Sequence, residues 1–212
     1  MKTSFLKISV AALLALSAPA SRAQLQGSAL DYMLQRPRVT KQYDGKHAFD
    51  HLFVDVGGGF NFMGTSHTKA GAQGQFYLGD WITPEHGMRL GFNVGYSRTA
   101  GIKAKYADLS LDYMLNITAL AQRGRTYSPR FFEVYVIAGI DLVTSRHQGN
   151  DEYGFGAHFG LRGQMALSPF TYLYIEPRVA IMDDDVAQGA TWHGYRPVAS
   201  LSAGLGYPPP QH

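Results

Sequence analysis

The sequence contains no cysteine, which excludes a disulfide framework, a Cys-ligated zinc site and a lipid anchor on cysteine. Charged residues are scarce, at 17%. The basic excess comes from the first 23 residues, where Lys2, Lys7 and Arg22 stand without an acidic residue. Of the 19 Lys and Arg, the other 16 face 16 Asp and Glu. The remainder is therefore neutral and has no tight basic run to follow a phosphate backbone. Nucleic-acid binding is not expected. No apolar run reaches the roughly 20 residues of a membrane helix.

The N-terminal leader is the first pattern that is present. Lys2 and Lys7 open it, Ile8 to Leu16 form an apolar middle, and Ser21-Arg22-Ala23 is a small-x-small site. This reads as a secretory signal peptide over residues 1–23, cleaved between Ala23 and Gln24. Ala18-Pro19-Ala20 offers a second site. The competing reading is an amphipathic helix opening a cytosolic protein. Residues 24–50 are polar, with Arg36-Pro37-Arg38 and no sustained pattern, and read as an exposed N-terminal segment.

From Leu52 onward, apolar and polar residues alternate in eight segments separated by turn residues. Alternation of period two marks a strand with two different faces. The clearest sets Met88, Leu90, Phe92, Val94 and Tyr96 against Arg89, Gly91, Asn93, Gly95 and Ser97. The others run from Leu52 to Phe62, Ala72 to Ile82, Ala107 to Asn116, Glu133 to Leu142, Phe155 to Leu167, Tyr172 to Ile181 and Ala199 to Tyr207.

Face composition decides what the alternation means. The polar face is rich in Gly and Ser, and it carries Asp55, Asp108, Asp112, Glu133, Asp141 and Glu176 against Arg89, Arg162 and Arg178, with His158 among them. Lysine, usual on water-facing strands, is nearly missing from these segments. A small polar face of mixed charge suits a crowded interior, and an aliphatic and aromatic face suits hydrocarbon. A bilayer demands closure, since an open sheet edge leaves backbone groups unpaired. The expected fold is all-β: an eight-stranded antiparallel transmembrane β-barrel over residues 51–207, with a Pro-rich tail at 208–212. Eight strands enclose an interior that side chains fill, so a wide porin is not expected.

Aromatics toward strand ends, including Phe60, Phe62, Tyr77, Trp81, Phe92, Tyr96, Tyr113, Phe131, Phe132, Phe155 and Tyr207, are expected in interfacial girdles. With both termini periplasmic, the connections at Thr83 to Gly87, Ala121 to Arg130 and Ser168 to Phe170 face inward. Those at Gly64 to Gly71, Arg98 to Lys103, Thr144 to Glu152 and Asp183 to Arg196 face outward.

The stretches Asp112-Tyr113-Met114-Leu115-Asn116, Tyr127-Ser128-Pro129-Arg130, Tyr153-Gly154-Phe155, Gly160-Leu161-Arg162-Gly163 and Ile175-Glu176-Pro177-Arg178 carry a resemblance. On them the chain resembles small outer-membrane β-barrel proteins of Bacteroidota, the OmpA-like barrel group, over about Leu52 to Tyr207. The resemblance implies an outer-membrane location and assembly by the barrel-insertion machinery. It also implies a terminal aromatic, whereas Pro208-Pro209-Pro210-Gln211-His212 follows Tyr207.

Catalytic and cofactor signals are weak. Gly57-Gly58-Gly59 is followed by no Lys-Ser/Thr, so it is no phosphate loop. The eight histidines show no paired ligand spacing, and no metal or other cofactor is expected. Asp183-Asp184-Asp185 suits a Ca²⁺ contact, though a solvated acidic loop is the better reading. His158, Arg162, Glu176 and Arg178 can be drawn as a hydrolase site. A charge-paired plug accounts for them more simply, because buried charges need partners. The expected protein is a non-enzymatic monomeric barrel in contact with outer-membrane lipid, with a structural or surface-contact role. Two rivals remain, a lipid-modifying barrel enzyme and a secreted lipocalin-like carrier.

Overall fold

The structure, a computed structural model, describes residues 51–63, 68–99, 102–121, 131–147, 150–168, 170–183 and 195–207. The expected leader, its cleavage site, the polar segment up to residue 50 and the Pro-rich tail lie outside the described residues. The strands are β1 (Leu52–Met63), β2 (Thr68–Trp81), β3 (His86–Thr99) and β4 (Ile102–Asn116). A single helical turn, α1 (Ile117–Leu120), precedes β5 (Phe132–His147), β6 (Asn150–Ser168), β7 (Thr171–Asp183) and β8 (Tyr195–Tyr207). Each strand pairs antiparallel with the next, and β1 pairs with β8, so the sheet closes on itself without an edge.

The strands are strongly staggered. One row of paired residues leaves β6 at Phe155 and passes through Leu142, Leu109, Phe92 and Phe76. It continues through Val56, Leu205 and Leu173 and returns to β6 at Met165, ten residues further along. A shift of that size over eight strands goes with the usual barrel tilt of about 35–45°. Every member of this row is apolar, so the band it traces around the wall is unbroken.

Burial separates the two faces. Among the described residues, 29 large hydrophobic side chains are exposed against 12 buried hydrophobics, while 17 polar or charged residues are buried. This inverts the arrangement of a water-soluble domain. An exposed apolar surface of such extent matches hydrocarbon rather than water. Leu90, Phe92, Leu109, Leu111, Ile140, Phe159 and Val179 form the middle of the outer wall.

At one end of the barrel the β2–β3 and β6–β7 connections are short, and side chains fix the described residues there. Thr83 Oγ1 accepts hydrogen bonds from the backbone N–H groups of Glu85 (3.3 Å) and His86 (3.0 Å), which fixes the β2–β3 turn. Asn116 Oδ1 caps α1 by accepting from Ala119 N (3.0 Å). Thr118 Oγ1 accepts from Val134 N (2.9 Å) and ties α1 to the start of β5. Ser168 Oγ accepts from Phe170 N (3.1 Å) in the β6–β7 turn.

At the opposite end the strands run further than alternation indicates. Thr68 to Gly71 belong to β2, Arg98 and Thr99 to β3, and Ile102 and Lys103 to β4. Thr144 to His147 belong to β5, Asn150 to Glu152 to β6, Asp183 to β7, and Tyr195 and Arg196 to β8. These residues are strand, where the sequence pattern reads outer loop. Backbone pairing does not need an apolar face, so the ladder continues after the hydrophobic alternation stops. Asp184 and Asp185 of the acidic triplet lie outside the described residues.

Candidate functional site

The inner face of the barrel holds the chemistry. Because side chains alternate along each strand, Asp55 on β1, Arg89 on β3, and Asp108 and Asp112 on β4 all turn inward. So do Glu133 and Asp141 on β5, His158 and Arg162 on β6, and Glu176 and Arg178 on β7. Nine of the ten are buried, and the Arg178 side chain is nearly so.

Two arginines organise the middle of the lumen. Arg89 Nε donates to Asp112 Oδ2 (2.7 Å) on the neighbouring strand. Its Nη1 and Nη2 donate to Glu176 Oε2 (2.9 Å) and Oε1 (2.7 Å) on β7, across the interior. This bidentate fork is the geometry a guanidinium offers a carboxylate. The face of the same guanidinium lies 3.9 Å from the centre of the Tyr77 ring. Arg162 Nη1 donates to Asp55 Oδ2 (2.7 Å), and the Arg162 guanidinium stacks 4.0 Å from the Tyr174 ring centre. The Tyr172 hydroxyl donates to the other oxygen of Asp55 (2.6 Å). Burying these ions is costly by itself, and the arrangement holds because each one meets opposite charge at hydrogen-bond distance.

A second cluster surrounds His158. Its Nδ1 lies 2.9 Å from Asp141 Oδ2 and 2.7 Å from Arg178 Nη2, and Nε2 lies 3.1 Å from Asp112 Oδ1. Arg178 Nη2 also donates to Asp141 Oδ1 (2.5 Å). Asp112 thus touches both clusters, one through each carboxylate oxygen.

His158 reaches Asp112 over the top of β5, and Gly139 makes this possible. The three residues stand side by side in register, with Gly139 in the centre. A Cβ at Gly139 would come within 2.5 Å of both Asp112 Oδ1 and His158 Cε1. Gly57 does the same for Tyr174, whose hydroxyl occupies the space an added Cβ would need. Inward glycines are thus the sockets into which larger neighbours lean, the alternation of small and large that fills a narrow barrel.

A neutral chain of amides and phenols completes the interior. Asn93 Nδ2 donates to Asp108 Oδ1 (2.6 Å), and the Tyr77 hydroxyl donates to Asn93 Oδ1 (3.2 Å). Gln75 Nε2 donates to the Tyr174 hydroxyl (2.8 Å), and Tyr106 donates to Gln73 Oε1 (2.8 Å). Glu133 accepts a hydrogen bond from the Tyr135 hydroxyl.

Several inward residues fall outside the polar pattern. Phe53, Met114, Tyr135 and Ile137 form a buried apolar cluster toward the tight-turn end, with Trp81 packed against it. Val143, Ala180, Met182 and Val198 form another toward the opposite end. Tyr77 and Trp81 are therefore interior residues and not part of an outer girdle; both sit on the inward parity of β2. Phe60, Phe62, Phe92, Tyr113, Phe131, Phe132, Phe155 and Tyr207 are exposed on the outer wall and the adjoining turn. Arg196, which the sequence pattern places in a loop, is fully buried on β8. Its signal is parity with Val198 and Ser202, which polar flanking residues obscure.

No known protein-family model matches the chain, and no curated protein sequence does. Among solved structures it is similar to Neisserial surface protein A, with a TM-score of 0.55 at 12% sequence identity, covering 74% of this chain and 96% of that one. It also aligns with a major outer membrane protein from Thermus thermophilus, with a TM-score of 0.46 at 16% identity over 76% of this chain and 100% of that one. For the N-terminal β-barrel domain of Pseudomonas aeruginosa OprF the TM-score is 0.45 at 12% identity, over 74% of this chain and 97% of that one. At such identities the likeness to the Neisserial protein is one of fold: a small, closed antiparallel barrel.

Proposed function

We propose that this protein is an integral outer-membrane β-barrel whose filled interior is a structural plug and whose role is to serve the envelope or to present its connections for surface contact. The observation that carries the reading is the inversion of polarity, with Leu, Val, Ile and Phe outside and paired charges inside. A lipocalin-like carrier needs an apolar cavity, and the described interior is dominated instead by ion pairs and hydrogen-bonded amides. The non-enzymatic reading takes His158 as part of the charge-paired plug, with Asp112, Asp141 and Arg178 around its ring. The orientation with tight turns in the periplasm, the monomeric state, insertion by the barrel-assembly machinery and kinship with the Bacteroidota barrels belong to the same proposal.

Membrane fractionation followed by electrophoresis of unheated and boiled samples tests it. The expected result is recovery in the outer-membrane fraction, with the unheated protein migrating as a compact species. Recovery as a soluble periplasmic or secreted protein overturns the reading.

A further inference from the structure

We propose that His158 is a proton-controlled partner switch: gaining or losing one proton decides whether its Nδ1 serves Asp141 or Arg178. The geometry is specific. Nδ1 has two neighbours within 3 Å, one an acceptor, Asp141 Oδ2 at 2.9 Å, and one a donor, Arg178 Nη2 at 2.7 Å. One nitrogen cannot donate to the first and accept from the second at the same time. Nε2 lies 3.1 Å from a carboxylate oxygen, Asp112 Oδ1, as an ion-pair contact short of hydrogen-bond alignment.

The doubly protonated ring directs one N–H to Asp141 and the other toward Asp112, and so bridges β4 and β5 over the gap left by Gly139. When the ring releases a proton, Nε2 keeps its hydrogen, because the charged group beside it is an anion. Nδ1 is then a lone pair. It accepts from Arg178 and turns away from Asp141. The other neutral tautomer would keep the Nδ1 hydrogen on Asp141, but it would set the Nε2 lone pair against the Asp112 carboxylate and leave the Arg178 guanidinium facing an N–H, and both contacts are unfavourable.

The charged groups around the ring are Asp112 from β4, Asp141 from β5 and Arg178 from β7, each in contact with it, and Asp108 on the same inward face of β4. Arg89 on β3 and Glu176 on β7 stand one ion pair further away, through Asp112. Of the four around the ring, Arg178 has a side chain that keeps 9% of its surface exposed. The proton therefore leaves to water on the Arg178 side of the cluster. The switch thereby couples solvent pH to the two clusters, since Asp112 belongs to both.

The test is nitrogen NMR of the histidine-labelled full chain folded in detergent micelles, with His158 assigned by its loss in His158→Gln. The spectrum is followed from about pH 5 to about pH 10, a range that brackets ordinary imidazole titration. The expected result is a ring protonated on both nitrogens at the acid end that becomes the Nε2–H form at the alkaline end. In Arg178→Met the neutral form loses its donor, and His158 is expected to hold its proton about tenfold more tightly, the scale of one charge-assisted hydrogen bond. A neutral ring carrying its hydrogen on Nδ1, a ring that keeps one protonation state throughout, or an unchanged midpoint in Arg178→Met overturns the proposal. Should Arg178→Met fail to fold, the tautomer in the unmodified chain decides alone.

Discussion

The outer wall and the lumen are built from the same eight strands, one residue apart, and they obey opposite rules. Leu111 on the wall touches neighbours that ask only for bulk and greasiness. Asp112, the next residue, contacts Arg89 through one oxygen and His158 through the other. The wall is specified by composition and the lumen by partner. Substitutions that are harmless in one should therefore be severe in the other.

The sharpest way to break this contrast is to remove a charge from the lumen. Arg89→Met leaves Asp112 and Glu176 facing each other without their shared cation. It is expected to destabilise the barrel by about 3–5 kcal/mol, as removal of one partner of a buried ion pair does. Urea unfolding from phospholipid vesicles measures it, and a loss under about 1 kcal/mol would mean that the lumen is not specified by its pairs. On the wall the reciprocal experiment is Leu111→Arg, which sets a charge against hydrocarbon. The expected cost is about 2–4 kcal/mol near the bilayer middle. If Leu111→Arg is neutral in the same assay, the wall faces water and the membrane reading fails.

Smaller changes sharpen the comparison. Gly139→Ala adds one methyl group in the space between Asp112 and His158 and is expected to cost about 1–3 kcal/mol, the usual range for overpacking. The same addition on the outer wall, Gly74→Ala, meets no atom within 4 Å and is expected to stay within about 0.5 kcal/mol. Equal effects in the two glycine variants would remove the distinction between socket and surface.

What could be read from sequence follows the same division. Wherever one face is apolar and the other polar, as at Leu90 beside Arg89, alternation gives both the strand and its inner residues. It goes silent where the faces match. Ala180, Met182 and Val198 are inward and apolar, so they carry no contrast with their neighbours. Thr144 to His147 and Asn150 to Glu152 are polar on either side, and they resemble loop until backbone pairing is seen. Pairing is also beyond a single strand's pattern. Nothing near Arg89 in the chain announces Glu176, because their contact depends on the stagger of the closed sheet. Gly139 is visible as a small inward residue, but its use as a socket depends on what stands on both sides of it.

The seam between β1 and β8 has a consequence for how the molecule is made. Val54 pairs with Tyr207 and Phe62 with Ala199, contacts between the first and last strands of the barrel. Loop-closure entropy opposes such distant contacts until most of the chain is in place. Seven strands in lipid would leave two raw edges. Synthesis from the N-terminus therefore produces no intermediate-sized barrel on the way. The closed barrel exists only once β8 has joined β1.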